Sequence, residues 1–194
     1  MSRSSTKQPR TWISRRWRRL LILVLAPVFA LLTTTGQASG YALEGLRWHG
    51  TPTSGCCAYI HVQFNTFSSS NDRSVMTDAM NAWTGSPANV ILQALPGNLT
   101  VEDTTATEPW VGATFSNPNW GSTGSFVWVH VVMSIPSMNA LGYSAQKEAS
   151  MHELGHAMGI DHTYGCIGVM EGTATFCGYS SPSSDDVAGI NALY

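Results

Sequence analysis

The segment that most restricts this chain is His152-Glu153-Leu154-Gly155-His156-Ala157-Met158-Gly159-Ile160-Asp161-His162. On a helix, His152 and His156 are four residues apart and share a face, so both imidazoles can reach one ion. Glu153 follows the first of them, where its carboxylate sits beside an ion rather than on it. Gly159 lets the chain leave the helix, and one tight turn then brings His162 back as a third ligand. Imidazole nitrogens hold zinc at about 2.0–2.1 Å, and three protein ligands leave a fourth position open, the mark of a catalytic rather than a structural site. Zinc lowers the pKa of water there towards about 7, and Glu153 is the group placed to take its proton. The fold must therefore deliver a helix ending at Gly159 and a turn that brings the chain back to it.

The rest of the chain supplies such a frame. Ser144 to Met158 predicts the helix, with Ser144 as N-cap and Gly159 as its end. Val75, Met76, Ala79, Met80 and Trp83 recur at three and four residues and predict a second helix over Asp72 to Trp83, capped from the Ser68–Asn71 loop. Ala58 to Phe64 alternates and predicts a strand, as do Val90 to Leu95 and Asn98 to Val101 around Pro96-Gly97. Phe126 to Ile135 is apolar almost throughout, which predicts a strand buried on both faces. Ser116 to Gly124 is dense in breakers and predicts a loop. Pro182 to Leu193 predicts a last short helix, with Ser183 and Asp186 at capping-box spacing. These elements predict an α+β domain over residues 41–194, a twisted and mostly parallel sheet packed on the two longer helices.

Residues 1–40 read as a secretory signal peptide. Seven of the chain's ten Lys and Arg lie there, with no acid. Behind them Leu20 to Leu32 is an apolar run too short for a membrane span, which needs about 20 residues. Ala38-Ser39-Gly40 is a small-residue exit, so cleavage near Gly40 is expected. Arg18-Arg19 also fits a twin-arginine signal, although the run after it is greasy enough for the ordinary secretory route. A secreted, extracellular protein without stable membrane association is the expectation. Beyond the leader only Arg47, Arg73 and Lys147 face twelve acids, a body of about −9 that argues against nucleic acid as a partner.

Cys56, Cys57, Cys166 and Cys177 suit an oxidising compartment and predict two disulfides. Because a bridge between neighbours is strained, two long-range bridges from Cys56-Cys57 to Cys166 and Cys177 are favoured over a local pair of bridges. His49, His61 and His130 have no partner at ligand spacing and are read as ordinary surface or core residues. Glu102, Asp103 and Glu108 are weak candidates as oxygen ligands, better read as a solvated acidic loop.

The long histidine motif resembles that of the metzincin zinc peptidases and, within them, the matrixins. Met170, in Ile167-Gly168-Val169-Met170, is similar to the metzincin Met-turn methionine that lies beneath the zinc. Asp161-His162-Thr163 and the stretch Asp185 to Tyr194 resemble matrixin patterns. The resemblance is strong over about residues 144–194 and thin before. It implies a metzincin-like catalytic domain acting on protein or peptide substrates as a monomer. Zinc is bound by His152, His156 and His162, with Glu153 as general base and Met170 in the Met-turn. The chain also departs from the pattern. No segment resembles the matrixin cysteine-switch propeptide, Gly172 stands where astacins and serralysins place a tyrosine ligand, and Glu171 follows the methionine at the specificity pocket wall. A secreted zinc-binding module that holds a protein partner without cleaving it, and a metal-dependent hydrolase of non-peptide substrates, are the alternatives. The presence of Glu153 argues against the first.

Overall fold

The computed structural model describes residues 40–49, 53–54, 56–173 and 176–194. The expected signal peptide lies outside them, apart from Gly40. Ten strands and four helices are present among the described residues: β1 (Ala42–Leu43), β2 (Leu46–Arg47), β3 (Thr53–Ser54), β4 (Cys57–Phe64), α1 (Ser70–Thr84), β5 (Val90–Gln93), β6 (Leu99–Thr104), β7 (Gly112–Asn117), β8 (Gly124–Ser125), β9 (Trp128–Ser134), α2 (Ile135–Asn139), α3 (Tyr143–Met158), β10 (Ile160–Asp161) and α4 (Ser184–Leu193).

The main sheet has the order β3-β4-β6-β9-β7, with β5 pairing the first half of β4. Strand β4 runs parallel to β5 over Ala58–His61 and to β6 over Val62–Phe64; β6 is parallel to β9, whereas β7 is antiparallel to β9. This is the expected α+β, mostly parallel arrangement, with an antiparallel strand at each rim, β3 against β4 and β7 against β9. Alternation along each strand decides which face is covered. Ile60, Val62, Leu99, Val101, Val129, Val131 and Met133 are buried in one core with Val75, Met76, Ala79, Met80 and Trp83 of α1 and Met151, Leu154, Ala157 and Met158 of α3. Trp83 has no exposed surface, and its indole N–H donates to Met151 O at 3.0 Å. One residue thus fills the space between the two helices and ties them together; burying a side chain of that size contributes about 1.5–3 kcal/mol.

Three local expectations need correction. Strand β9 is not buried on both faces: Val129, Val131 and Met133 are covered, while His130 and Val132 are only partly buried and Trp128 is exposed. The apolar run is explained by its position beside the rim. Ser144 does not cap α3; Gly142 is the N-cap and makes no side-chain hydrogen bond. The breaker-rich stretch from Ser116 is partly strand, because β7 runs to Asn117 along β9. Other features are as expected. Ser69 accepts from Asp72 N–H at the start of α1, and Ser183 and Asp186 form the full capping box of α4.

The cysteines pair locally, Cys56 with Cys57 and Cys166 with Cys177, and none is free. The long-range pairing is therefore overturned. Cys57 opens β4 in the sheet, whereas Cys166 and Cys177 close a loop between β10 and α4.

Gly159 ends α3 in the left-handed region at φ 105°, and a Cβ there would stand 2.1 Å from Leu46 O. Gly159→Ala is therefore expected to lose at least about 2 kcal/mol, a fall in melting temperature of roughly 4–8 °C. Thermal unfolding followed by circular dichroism checks this; a variant melting with the wild type would show that the turn is not constrained.

Candidate metal centre

His152 and His156 project from α3 one turn apart, and β10 returns His162 to them. Their Nε2 atoms form a near-equilateral triangle: 3.1 Å for His152–His156, 3.1 Å for His156–His162 and 3.2 Å for His152–His162. The opposite ring nitrogens determine what those atoms are. His152 Nδ1 lies 2.8 Å from Val169 O, and His156 Nδ1 lies 3.0 Å from Ile160 O. A carbonyl can only accept, so each Nδ1 carries the proton and each Nε2 presents a bare lone pair.

Burial and the neighbouring histidine charges pull the His152 pKa down to about 3. His162 is lowered by the same causes, burial first. Burial also pulls His156 down, but the hydrogen bond to Glu44 and the charges of Glu153 and Glu44 outweigh it, so that its pKa is raised. Lone pairs aimed at one another at this distance repel unless a cation lies among them. Tetrahedral ligands 2.0–2.1 Å from one ion would stand about 3.3–3.4 Å apart, close to the observed triangle. Three imidazole nitrogens suit zinc among the common divalent ions.

The turn after His162 supports the triangle from below. Thr163 N–H donates to Met170 O, and Gly172 N–H donates back to Thr163 O, both at 2.8 Å. Met170 is buried against α3, where a Cβ at Gly155 would lie 2.3 Å from its sulfur. Gly155 therefore provides the space Met170 occupies. Asp186 of α4 accepts from Val169 N–H at 2.9 Å, and Val169 O in turn orients His152. A Cβ at Gly168 would meet that carboxylate at 2.4 Å. The last helix is thereby wired to the first histidine.

Glu153 is buried beside the triangle. Its Oε2 accepts from Thr114 Oγ1 at 2.7 Å, and burial raises its pKa, an effect partly offset by His156 and Thr114. Strand β7 passes close above it: a Cβ at Gly112 would lie 2.6 Å from Glu153 Cγ. The antiparallel rim strand and the helix thus enclose a cleft of about 560 Å³. Trp110 to Thr114 line one side, Val169 and Glu171 to Thr173 the other, and the three histidines lie between.

Of the sequence-predicted site residues, the structure brings together His152, His156, His162, Glu153 and Met170. The remaining acids and histidines do other work. Glu171 accepts from Cys166 N–H at 2.5 Å and Thr173 N–H at 3.1 Å, and these hydrogen bonds, that from Cys166 foremost, lower its pKa. Asp103 is not in a solvated loop. It is buried in β6 and accepts from Ser68 N–H at 2.8 Å. Glu102 pairs with His130 at 3.1 Å across β6 and β9, so His130 is not isolated. His49 accepts from Arg47, and His61 is exposed. Sequence reasoning missed Gly112, Thr114 and Glu44. A β7 strand assignment could have found the first two; nothing in local sequence marks Glu44.

No known family profile matches the chain, and no curated protein matches it. Among solved structures, it is similar to high choriolytic enzyme 1, a hatching enzyme zinc-protease from the medaka fish Oryzias latipes. That match has 13% identity and a TM-score of 0.47, and covers 76% of this chain and 94% of that one.

The geometry discriminates between two candidates for the third ligand. His162→Ala is expected to lose stoichiometric zinc and the thermal stabilisation that zinc gives, because the metal binds only the folded form. Glu171→Ala, whose carboxylate is turned into its own loop, is expected to keep the metal. Zinc content and melting temperature of the two variants decide; the reverse pattern would refute a three-histidine site.

Proposed function

We propose that the protein is a secreted zinc-dependent endopeptidase, a metzincin of matrixin-like type. The observation that carries the reading is the convergence of three imidazole Nε2 atoms within 3.2 Å beside the buried carboxylate of Glu153. His152, His156 and His162 would hold the ion. When bound, it supplies Lewis-acid polarisation of a carbonyl and acidifies water towards neutral pH.

This chain's own groups do the rest. Glu153 takes the proton of the attacking water and returns it to the leaving amine nitrogen. Burial suits that duty, because a carboxylate with a raised pKa accepts and releases protons nearer neutrality. Thr114 fixes its orientation.

The substrate backbone can be received by β7. Val111 O and Asn117 O accept from Ser134 N–H and Val127 N–H of the β9 side. In an antiparallel ladder the alternate residues Gly112, Thr114 and Ser116 then point their backbone groups the other way. Thr114 O on that outward edge is met by Trp120 Nε1 at 3.3 Å. Gly112 has its backbone groups on the same edge, where an extended peptide can add as a further strand. The leader and the two disulfides support export, and no described helix is long and apolar enough to cross a membrane.

A casein or gelatin zymogram with and without chelator tests the reading, with clearing expected only in the absence of chelator. Glu153→Ala should keep its zinc and lose about 10²–10⁴-fold in turnover. Absence of clearing on several proteins by a zinc-loaded wild type would refute peptidase activity and favour a module that binds without cleaving.

A further inference from the structure

The N-terminal strand of the described chain is laid across the end of the active-site helix. β1 pairs with β10, Ala42 with Asp161 and Leu43 with Ile160, and Glu44 N–H donates to Gly159 O at 2.9 Å. Immediately after, Gly45 turns the chain at φ 83°, where a Cβ would lie 2.7 Å from Ser122 O, and Leu46 is wholly buried. The backbone on both sides of Glu44 is thus fixed, and its side chain turns towards His156. Its Oε1 stands 3.4 Å from His156 Nδ1, with only 12% of the side chain exposed. No Lys or Arg among the described residues pairs with this carboxylate.

His156 Nδ1–H therefore lies between two acceptors, Ile160 O at 3.0 Å and Glu44 Oε1 at 3.4 Å. His152 differs: its Nδ1 faces the neutral carbonyl of Val169. A carbonyl alone suffices to hold the proton on Nδ1. A carboxylate does more, because its charge increases the electron-donating strength of the opposite nitrogen and offsets part of a bound cation's charge. The asymmetry singles out His156 as the ligand strengthened from behind.

We infer that Glu44 is a positioning residue for the metal centre, acting through His156 as the carboxylate of a carboxylate–histidine–metal relay. The inference rests on the zinc reading above. Removing such a partner characteristically weakens metal binding by about 10–100-fold.

The test is the zinc dissociation constant, measured by competition with a chromophoric chelator on the wild type, Glu44→Gln, Glu44→Asp and Glu102→Gln. Glu44→Gln is expected to weaken zinc binding about 10–100-fold. Glu44→Asp is expected to weaken it as well, because the shorter arm withdraws the oxygen from Nδ1 while keeping the charge. Glu102→Gln makes the same charge change on the sheet and is expected to leave affinity unchanged. Metal-free Glu44→Gln is expected to melt within a few degrees of the metal-free wild type. Wild-type affinity in Glu44→Gln would overturn the inference. So would full affinity in Glu44→Asp beside a loss in Glu44→Gln, or an equal loss in Glu102→Gln, since either makes the effect one of distant charge. A metal-free Glu44→Gln that melts far below the wild type would assign Glu44 a structural role instead. Failure of the wild type itself to bind zinc would refute the metal reading and the relay with it, and is told apart from the outcomes above because the wild type and not only the variant then fails.

Discussion

Three imidazole Nε2 atoms held within 3.2 Å of one another repel where their lone pairs face, and the surrounding structure is organised around keeping them there. An imidazole free to rotate or exchange its tautomer would relieve the repulsion at once. Two backbone carbonyls prevent this, Val169 O for His152 and Ile160 O for His156. Each carbonyl must itself be fixed. Val169 is held by Asp186 of the last helix, and Ile160 by its pairing with Leu43 of the first strand. Residues from both ends of the described chain thus converge on one helix turn. This accounts for elements of two residues, such as β1 and β10, that contribute little to the core yet set the position of a ligand.

The second constraint is the approach of strand β7 to helix α3. Helix and sheet side chains normally separate the two layers, but here Gly112 removes that spacer directly above Glu153. The carboxylate is thereby desolvated from one side and hydrogen-bonded by Thr114 two residues along, on the same face of the strand. Because β7 is antiparallel and at the rim, its outer edge keeps backbone groups that the parallel strands inside the sheet have already committed. The proposed base and the peptide-receiving edge are consequences of the same close contact.

What could be read from sequence followed from local periodicity and local chemistry. The helix around His152, its end at Gly159, the amphipathic stripe from Val75 to Trp83 and the capping box at Ser183 each lie within about a dozen residues. The three-histidine cluster was legible because two ligands share one helix face and the third is one turn beyond. Long-range partners were not legible. Thr114 and Gly112 meet Glu153 across some 40 positions, and Glu44 meets His156 across more than 100. The cysteine pairing failed in the opposite direction: both bridges are local, Cys56 to its neighbour and Cys166 to a residue eleven positions on, whereas the strain of a vicinal bridge argued for long-range partners. The apolar run of β9 misled because composition gives burial but not position in the sheet.

The acid excess of the body has a structural use that charge counting alone obscures. With three cations against twelve acids beyond residue 40, most carboxylates have no Lys or Arg to pair with, and among the described residues none lies within 4.0 Å of one. Several are instead buried as acceptors for backbone N–H groups in irregular segments. Asp103 takes Ser68 and Ser69, Glu148 takes Cys177 and Gly178, Glu171 takes Cys166 and Thr173, and Asp186 takes Val169 and Ser183. Loop amides lack the ladder partners of helix and strand, and a buried amide left unpaired costs about 1–3 kcal/mol. A carboxylate answers two such amides at once with charge-assisted bonds. Three of the four hold described residues between Cys166 and Ser183, several of which line the cleft. Acids from α3, α4 and the loop itself thus serve that wall as internal caps. An apolar side chain at Glu148 could fill the same volume, but it would leave two amides of the wall without partners.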